Sequence, residues 1–321
     1  MTRFGITMGD PCGIGPEIIL KALHTRNSYL DRCIVFGSAA LLEHYNRTFG
    51  YGFSIQVISR AAEAKAGRLN VVDPFPIALP DITVGQVCAT GGRCAFLYVK
   101  AAIDAALAKE ISSVVTAPLN KEALHLAGYN YAGHTEIFGA FARGERFAML
   151  LWSDQLKAIH VTTHVSLRQA CDLCTKQREM DVIRLGYETL KKAGYPSPRI
   201  AVAGLNPHAG ENGIFGTEEI QEIAPAVAAC RAEGIDVAGP VPPDTVFLRA
   251  VKGEFDLVVA QYHDQGHIPL KMLAFDSGVN ITVGLDVVRT SVDHGTAFDI
   301  AGKGVARADS LLKAIEIGEK L

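Results

Sequence analysis

The stretch 199-RIAVAGLNPHAGENGIFGTEEIQEIAPAVAACRAEG-234 reads as strand, polar loop and helix in one pass. Residues 199–205 are a short, β-rich run, apolar after Arg199. GLNPHAGENG then supplies turn formers and one histidine. From 217 the apolar residues recur at helical spacing, and the run ends at Gly234. A second strand candidate, 256-DLVVAQY-262, follows and again opens into a polar loop. The alternation continues outward. Strand candidates at 3–8, 33–37, 53–59, 113–118, 147–152, 158–165 and 280–284 are interleaved with helix candidates at 16–24, 91–110 and 177–194. This order predicts an α/β fold with a mixed, largely parallel sheet. Alternate polar residues in 158-AIHVTTHV-165 leave antiparallel pairing open there.

At 321 residues the chain exceeds a typical single domain, so one large unit and two lobes are both open. No Gly/Ser linker, repeat or low-complexity tract marks a boundary, so residues 1–321 are read as one catalytic unit. Hydrophobic residues at 49% and charged residues at 20% suit a sizeable core. A formal net charge of -3 argues against a nucleic-acid partner. No signal peptide and no run of 18 apolar residues is read, so no membrane association is expected. Seven irregularly spaced cysteines predict free thiols in a cytoplasmic setting. Cys171 and Cys174 form one C-x-x-C within a helical pattern. They read as core or half-buried helix cysteines, with a redox or metal role as the alternative.

In open parallel sheets, ligands bind beyond the carboxyl ends of strands. Four unusual loops stand there: 7-TMGDPCGIGPE-17, 116-TAPLNKE-122, 204-GLNPHAGENG-213 and 261-QYHDQGHIP-269. Gly9, Gly13 and Gly15 match neither the dinucleotide fingerprint nor a Walker A loop. Pro16 fits a first helical turn, leaving an anion cradle and a plain tight turn both open. Asn120 is a candidate N-cap. Lys121 then meets the positive end of a helix, which a bound anion would offset, unless the lysine is simply solvated. In 133-GHTEIFG-139, His134 or Thr135 could cap a helix or donate to a phosphate.

His164, His208 and His263 all follow β-rich runs. Three imidazoles with open positions form a catalytic divalent-metal pattern, and scattered polar loop histidines are the alternative. His160 is a runner-up, sharing a strand face with His164. Gly266 and Pro269 are expected to interrupt any helix after His263, so His263 and His267 are not expected to chelate as an i,i+4 pair. Lys271, Asn280 and Arg289 form a basic and amide set suited to carboxylate or phosphate, or else ordinary surface charge.

GDPCGIGPE, TAPLNKEALHLAG, GHTE, NPHAGENGIFGTEE, PPDTVF, YHDQGHIPLK, GVNITVGL and RTSVDHGTAFDIAGKG, in this order, resemble the 4-hydroxythreonine-4-phosphate dehydrogenase family over about residues 3–305. The resemblance implies two intertwined α/β lobes like those of the isocitrate and isopropylmalate dehydrogenases. It also implies an active site in the cleft between them and a homodimer with that site at the interface. NAD, or NADP, would serve without a Gly-rich fingerprint. One divalent metal (Zn, Mg, Mn or Co) would sit on His164, His208 and His263. His134 and Thr135 would meet the phosphate, and Lys271, Asn280 and Arg289 the rest of the substrate. Asp244 and Asp264 would position groups or move protons, with Lys271 as a candidate acid and His267 outside the ligand set.

Within the family, TAPLNKEALHLAG, GHIPLK and GTAFDIA look most like the branch acting on 4-phospho-D-threonate or 4-phospho-D-erythronate. That implies oxidation at C3 and decarboxylation to dihydroxyacetone phosphate and CO2. The alternatives are the vitamin B6 enzyme itself and a non-enzymatic metal- or phosphate-binding module.

Overall fold

A computed structural model describes residues 3–144, 146–274 and 278–321. Its strands are β1 Phe4–Thr7, β2 Cys33–Phe36, β3 Ile55–Val57, β4 Leu69–Val72, β5 Ser113–Thr116, β6 Ala148–Trp152, β7 Lys157–His160, β8 Ile200–Ala203, β9 Val237–Val241, β10 Leu257–Ala260, β11 Val279–Val283 and β12 Val288–Val292. Its α-helices are α1 Gly15–Thr25, α2 Ala39–Phe49, α3 Ala89–Leu107, α4 Lys121–Leu126, α5 His134–Phe141, α6 Leu167–Leu173, α7 Lys176–Lys192, α8 Ala224–Ala232, α9 Pro243–Val251, α10 His263–Ala274 and α11 Asp309–Lys320. No helix among the described residues is long and apolar enough to cross a membrane.

The chain divides into two compact units, Met1–Gly144 with Leu285–Glu319, and Glu145–Gly284 with Lys320–Leu321. In the first, β3-β4-β2-β1-β5-β12 pair in that order, all parallel. In the second the order is β11-β6-β7-β10-β8-β9. There β6 runs antiparallel to both neighbours, while β7, β10, β8 and β9 are parallel. The largely parallel sheet and the antiparallel option near residue 158 are therefore both present. Most strands are buried along their length, as strands covered on both faces must be.

Local rules explain the segments that carry the loops. The glycine-rich loop after β1 is a close-packing device. Gly9 has φ +71°, and a Cβ there would stand 2.1 Å from Pro118 O; one on Gly15 would stand 2.0 Å from Met8 O. Pro16 lies in the first turn of α1. The buried Glu17 carboxylate accepts from the amides of Gly302 and Gly304, anchoring a distant loop. A buried carboxylate, Asp10, occupies the turn itself and accepts from Cys12 N at 2.9 Å. These close approaches account for the glycines of this loop as parts of a tight turn.

Three expectations need correction. The predicted strand 158–165 stops at His160, because the chain turns at 161–165 and enters α6 through a Ser166–Gln169 capping box. His160 and His164 therefore do not share a strand face. The predicted break after His263 is absent: α10 runs through Gly266 and Pro269. Burial of Gly266, His267 and Leu270 outweighs the hydrogen bond that proline removes. Cys171 is exposed, so only Cys174 of the pair is buried.

Candidate functional site

In the first unit, β5 and β12 are neighbours, and α5 begins at His134. Arg289, on β12, is 3% exposed yet cationic. Its Nε and Nη2 donate to Thr116 Oγ1 at 3.3 and 3.2 Å, and Nη1 donates to Thr135 Oγ1 at 3.4 Å. The guanidinium also lies 5.7 Å from the Phe138 ring centroid. Burial pulls its pKa down to about 10, so it stays charged at neutral pH. The Glu136 carboxylate acts the other way, as a nearby anion does for an enclosed cation.

His134 stands beside it. Burial and the Arg289 charge hold its imidazole well below the usual range, and Nε2 is enclosed with no hydrogen-bond partner among the described residues. The expected side-chain cap by His134 or Thr135 is not formed. Gly133 is the N-cap, and no side chain caps α5. By contrast Asn120 does cap α4, accepting from Ala123 N at 2.8 Å. Lys121 opens that helix, and its Cε lies 3.8 Å from where a Cβ on Gly133 would stand. Arginine, a neutral imidazole, a hydroxyl, a lysine and an uncapped helix start together suit an anion bearing several oxygens.

In the second unit, β7, β8 and β10 run parallel, so the segments after them leave one edge of the sheet. His164 and His263 come together there, with ring centroids 5.7 Å apart. His263 opens α10, and its Nδ1 lies 2.6 Å from Asp264 Oδ1, which holds the carboxyl below its usual range. A carboxylate on Nδ1 leaves Nε2 free to bind, the usual way a metal-binding imidazole is oriented. His208 has a looser version, with Nδ1 3.8 Å from Asp244 Oδ2. It lies in a run of left-handed backbone, His208 to Asn212, with φ from 44 to 79°. Such a run is strained and persists only where its surroundings impose it. Just ahead of the run, the buried Glu219 carboxylate accepts from Leu205 N at 2.8 Å and Asn206 N at 2.7 Å.

No group of three His, Cys, Asp or Glu among the described residues is already gathered to hold a metal. The donor chemistry of His164, His208 and His263 nevertheless fits a divalent cation. All three are histidines at one sheet edge, and two have a carboxylate facing Nδ1. Lys271 is exposed on α10. Asn280 lies on β11 in register with Leu151, which itself faces Ala158, two residues short of the end of β7.

His267 is tied to His263, as a helical spacing allows. Their rings stack at 3.6 Å and 11°, and His267 Nδ1 donates to His263 O at 2.9 Å. His160 lies 4.9 Å beyond it. Burial pushes His160 down to about 3 and His267 down to about 4, so both imidazoles behind His263 are neutral.

Sequence reasoning missed two glutamines that join the three histidine-bearing segments. Gln261 Nε2 donates to Ala203 O at 2.9 Å, and Gln265 Nε2 donates to Gly204 O at 2.8 Å, both just ahead of the His208 loop. Gln261 O accepts from Thr162 Oγ1 at 2.8 Å, two residues before His164. Gln261 N donates to Gln265 Oε1 at 2.6 Å. Both side chains are buried. The available signal was two amides flanking an otherwise ligand-like YHD. Gln261→Leu strands the Ala203 carbonyl and should cost about 2–3 kcal/mol. A thermal melt would show a drop of several degrees, and an unchanged midpoint would refute the role.

Glu179, on α7, lies buried near Gln261. Burial pushes its carboxyl up to about 8, against the pull of the Gln261 amide and Arg178. The folded chain then keeps a proton that an ordinary glutamate, titrating near 4.5, releases on unfolding. This contribution to stability is complete below about 4.5 and is lost as pH rises through about 8. Glu179→Gln should therefore match the parent in urea midpoint near pH 4.5 and exceed it increasingly up to about pH 8. A pH-independent difference would show that Glu179 does not titrate in this window.

The chain is a two-unit α/β protein with a largely parallel sheet, each unit bearing one of these polar groups. For the fold alone, the isocitrate dehydrogenase of Methylococcus capsulatus has TM-score 0.50 at 14% identity, covering 99% of this chain and 85% of that one. Residues 29–318 match the family described as pyridoxal phosphate biosynthetic protein PdxA, and the chain belongs to that family. It is 49% identical over 320 residues to the D-threonate 4-phosphate dehydrogenase of Salmonella typhimurium, covering 98% of each chain. It is similar to the crystal structure of the 4-hydroxythreonine-4-phosphate dehydrogenase from Klebsiella pneumoniae, at TM-score 0.87 and 48% identity, covering 99% of each chain. These relatives are dehydrogenases, and this chain is an enzyme of that class.

Proposed function

We propose that the chain oxidises 4-phospho-D-threonate or 4-phospho-D-erythronate at C3 with NAD and decarboxylates the product. The observation that carries the phosphate is the enclosed Arg289, with His134 and Thr135 beside it. Arg289 would take a phosphate oxygen pair, and Thr135 and the His134 ring would each donate to a further oxygen. A dicarboxylate would leave some of these donors unmatched. Similarity to a relative named for threonate 4-phosphate supports the same substrate class.

His164, His208 and His263 would hold a divalent cation, oriented by Asp264 and Asp244. That cation, when bound, lowers the pKa of a substrate hydroxyl and polarises the ketone that replaces it. A bound nicotinamide would supply the hydride acceptor for C3, the hydroxyl proton being lost to solvent. The resulting 3-keto acid would lose its carboxylate as CO2, and the enolate left behind would take one proton at C2 to give dihydroxyacetone phosphate. Lys271 is the candidate donor of that proton, and Asn280 a candidate contact to the acid end.

Absorbance at 340 nm with purified protein, NAD, a divalent metal and a panel of four-carbon 4-phosphates tests this reading. Turnover of the threonate or erythronate ester, with triose phosphate as product, is expected. Turnover of 4-hydroxythreonine 4-phosphate alone would replace it with the second reading, which similarity to the Klebsiella enzyme favours. Metal binding without turnover of any panel member would leave a binding module.

A further inference from the structure

We propose that Cys12 and Cys88 are an oxidation site, closing a reversible disulfide when the chain meets a small hydroperoxide. The thiols are 76 residues apart in sequence, yet their sulfurs stand 3.6 Å from each other. Cys12 is buried in the loop after β1, and Cys88, the N-cap of α3, is partly exposed. The pair thus has a partly exposed member, Cys88, with a protected partner, Cys12, behind it.

The two segments are already fastened together. Gly85 N donates to Cys12 O at 2.8 Å. Gly91 packs so closely that an added Cβ would stand 2.5 Å from Asp10 Oδ1. The sulfurs need roughly 1.5 Å of further approach to reach the S–S bond length of about 2.05 Å. The C-x-x-C that draws the eye in the sequence is differently placed. Cys171 is exposed with its Sγ donating to Leu167 O, while buried Cys174 faces Gln261 O.

The chemistry balances with one hydroperoxide. The Cys88 sulfur attacks a peroxide oxygen, the O–O bond breaks, and a sulfenic acid and one water form. The Cys12 sulfur then attacks the Cys88 sulfur, the S–O bond breaks, and hydroxide leaves as a second water carrying the Cys12 proton. Two thiols and one hydrogen peroxide give one disulfide and two waters. Burial and the Asp10 charge hold Cys12 protonated, so this second step needs a base. Asp10 is beside it, with Oδ2 buried and without a hydrogen-bond partner among the described residues.

The test treats the full chain with a few equivalents of hydrogen peroxide, alkylates it, and digests it without reductant for mass spectrometry. The expected result is a cross-linked peptide pair containing Cys12 and Cys88, an intact mass lower by two hydrogens, and reversal by a thiol reductant. Cys88→Ser keeps a good N-cap on α3 and should abolish the cross-link. Cys171→Ser should leave it intact. Cys12→Ser should strand Cys88 as a sulfenic acid that dimedone traps. A Cys171–Cys174 cross-link instead, or over-oxidised Cys88 with Cys12 still open to alkylation, or unreacted Cys88, would each overturn the proposal.

Discussion

Replacing Arg289 with methionine should raise KM for the phosphorylated substrate by about two to three orders of magnitude. Two charge-assisted hydrogen bonds to a phosphate amount to roughly 3–4 kcal/mol, and each 1.4 kcal/mol is about tenfold in affinity. The expectation rests on the enclosure of the guanidinium against Thr116, Thr135 and Phe138. Methionine fills much of the arginine stem volume, so a circular dichroism melt should move little beside the change in KM. Arg289→Lys restores a charge without the fork and should recover only part of the affinity. A substrate analogue without the phosphate should bind parent and variant equally. An unchanged KM for the phosphate ester in Arg289→Met, with the fold intact, would move the phosphate elsewhere.

His263→Ala should lower metal retention after dialysis by at least about 100-fold and metal-dependent NADH formation by about 1,000-fold. Its ring is the best supported of the three candidate ligands. Asp264 sits on Nδ1 at 2.6 Å, His267 stacks behind it, and His164 lies 5.7 Å away. Metal content is read by atomic absorption and turnover at 340 nm. Full metal stoichiometry in the variant would remove His263 from the ligand set, whatever happens to turnover.

The alternation of strands and helices was legible because burial and period are local properties. The run 200–203 is apolar throughout and becomes the buried strand β8, and Gly194 and Gly234 sit at positive φ just past their helices. Asn120 was legible as a cap for the same reason, since a cap acts across three residues. The boundaries of 158–165 and the continuity of α10 were not legible. A capping box ended the strand early, and a buried helix face overrode Pro269.

Which residue types stand after which strands is written in the sequence, and so is the candidate ligand set His164, His208 and His263. The helical stretch from 91 that became α3 was also there to be read. What the chain alone could not show is which of these residues meet. Residues 116, 135 and 289 converge because β5 pairs with β12 and α5 packs nearby. Gln261 and Gln265 matter only because β10 lies between β7 and β8. The Cys12–Cys88 contact needs the turn after β1 to pack against the start of α3. Each is a hydrogen bond or contact between segments distant in sequence. Periodicity carries no information about such pairs, because their partners are chosen by sheet order and burial, which exist only once the chain has folded.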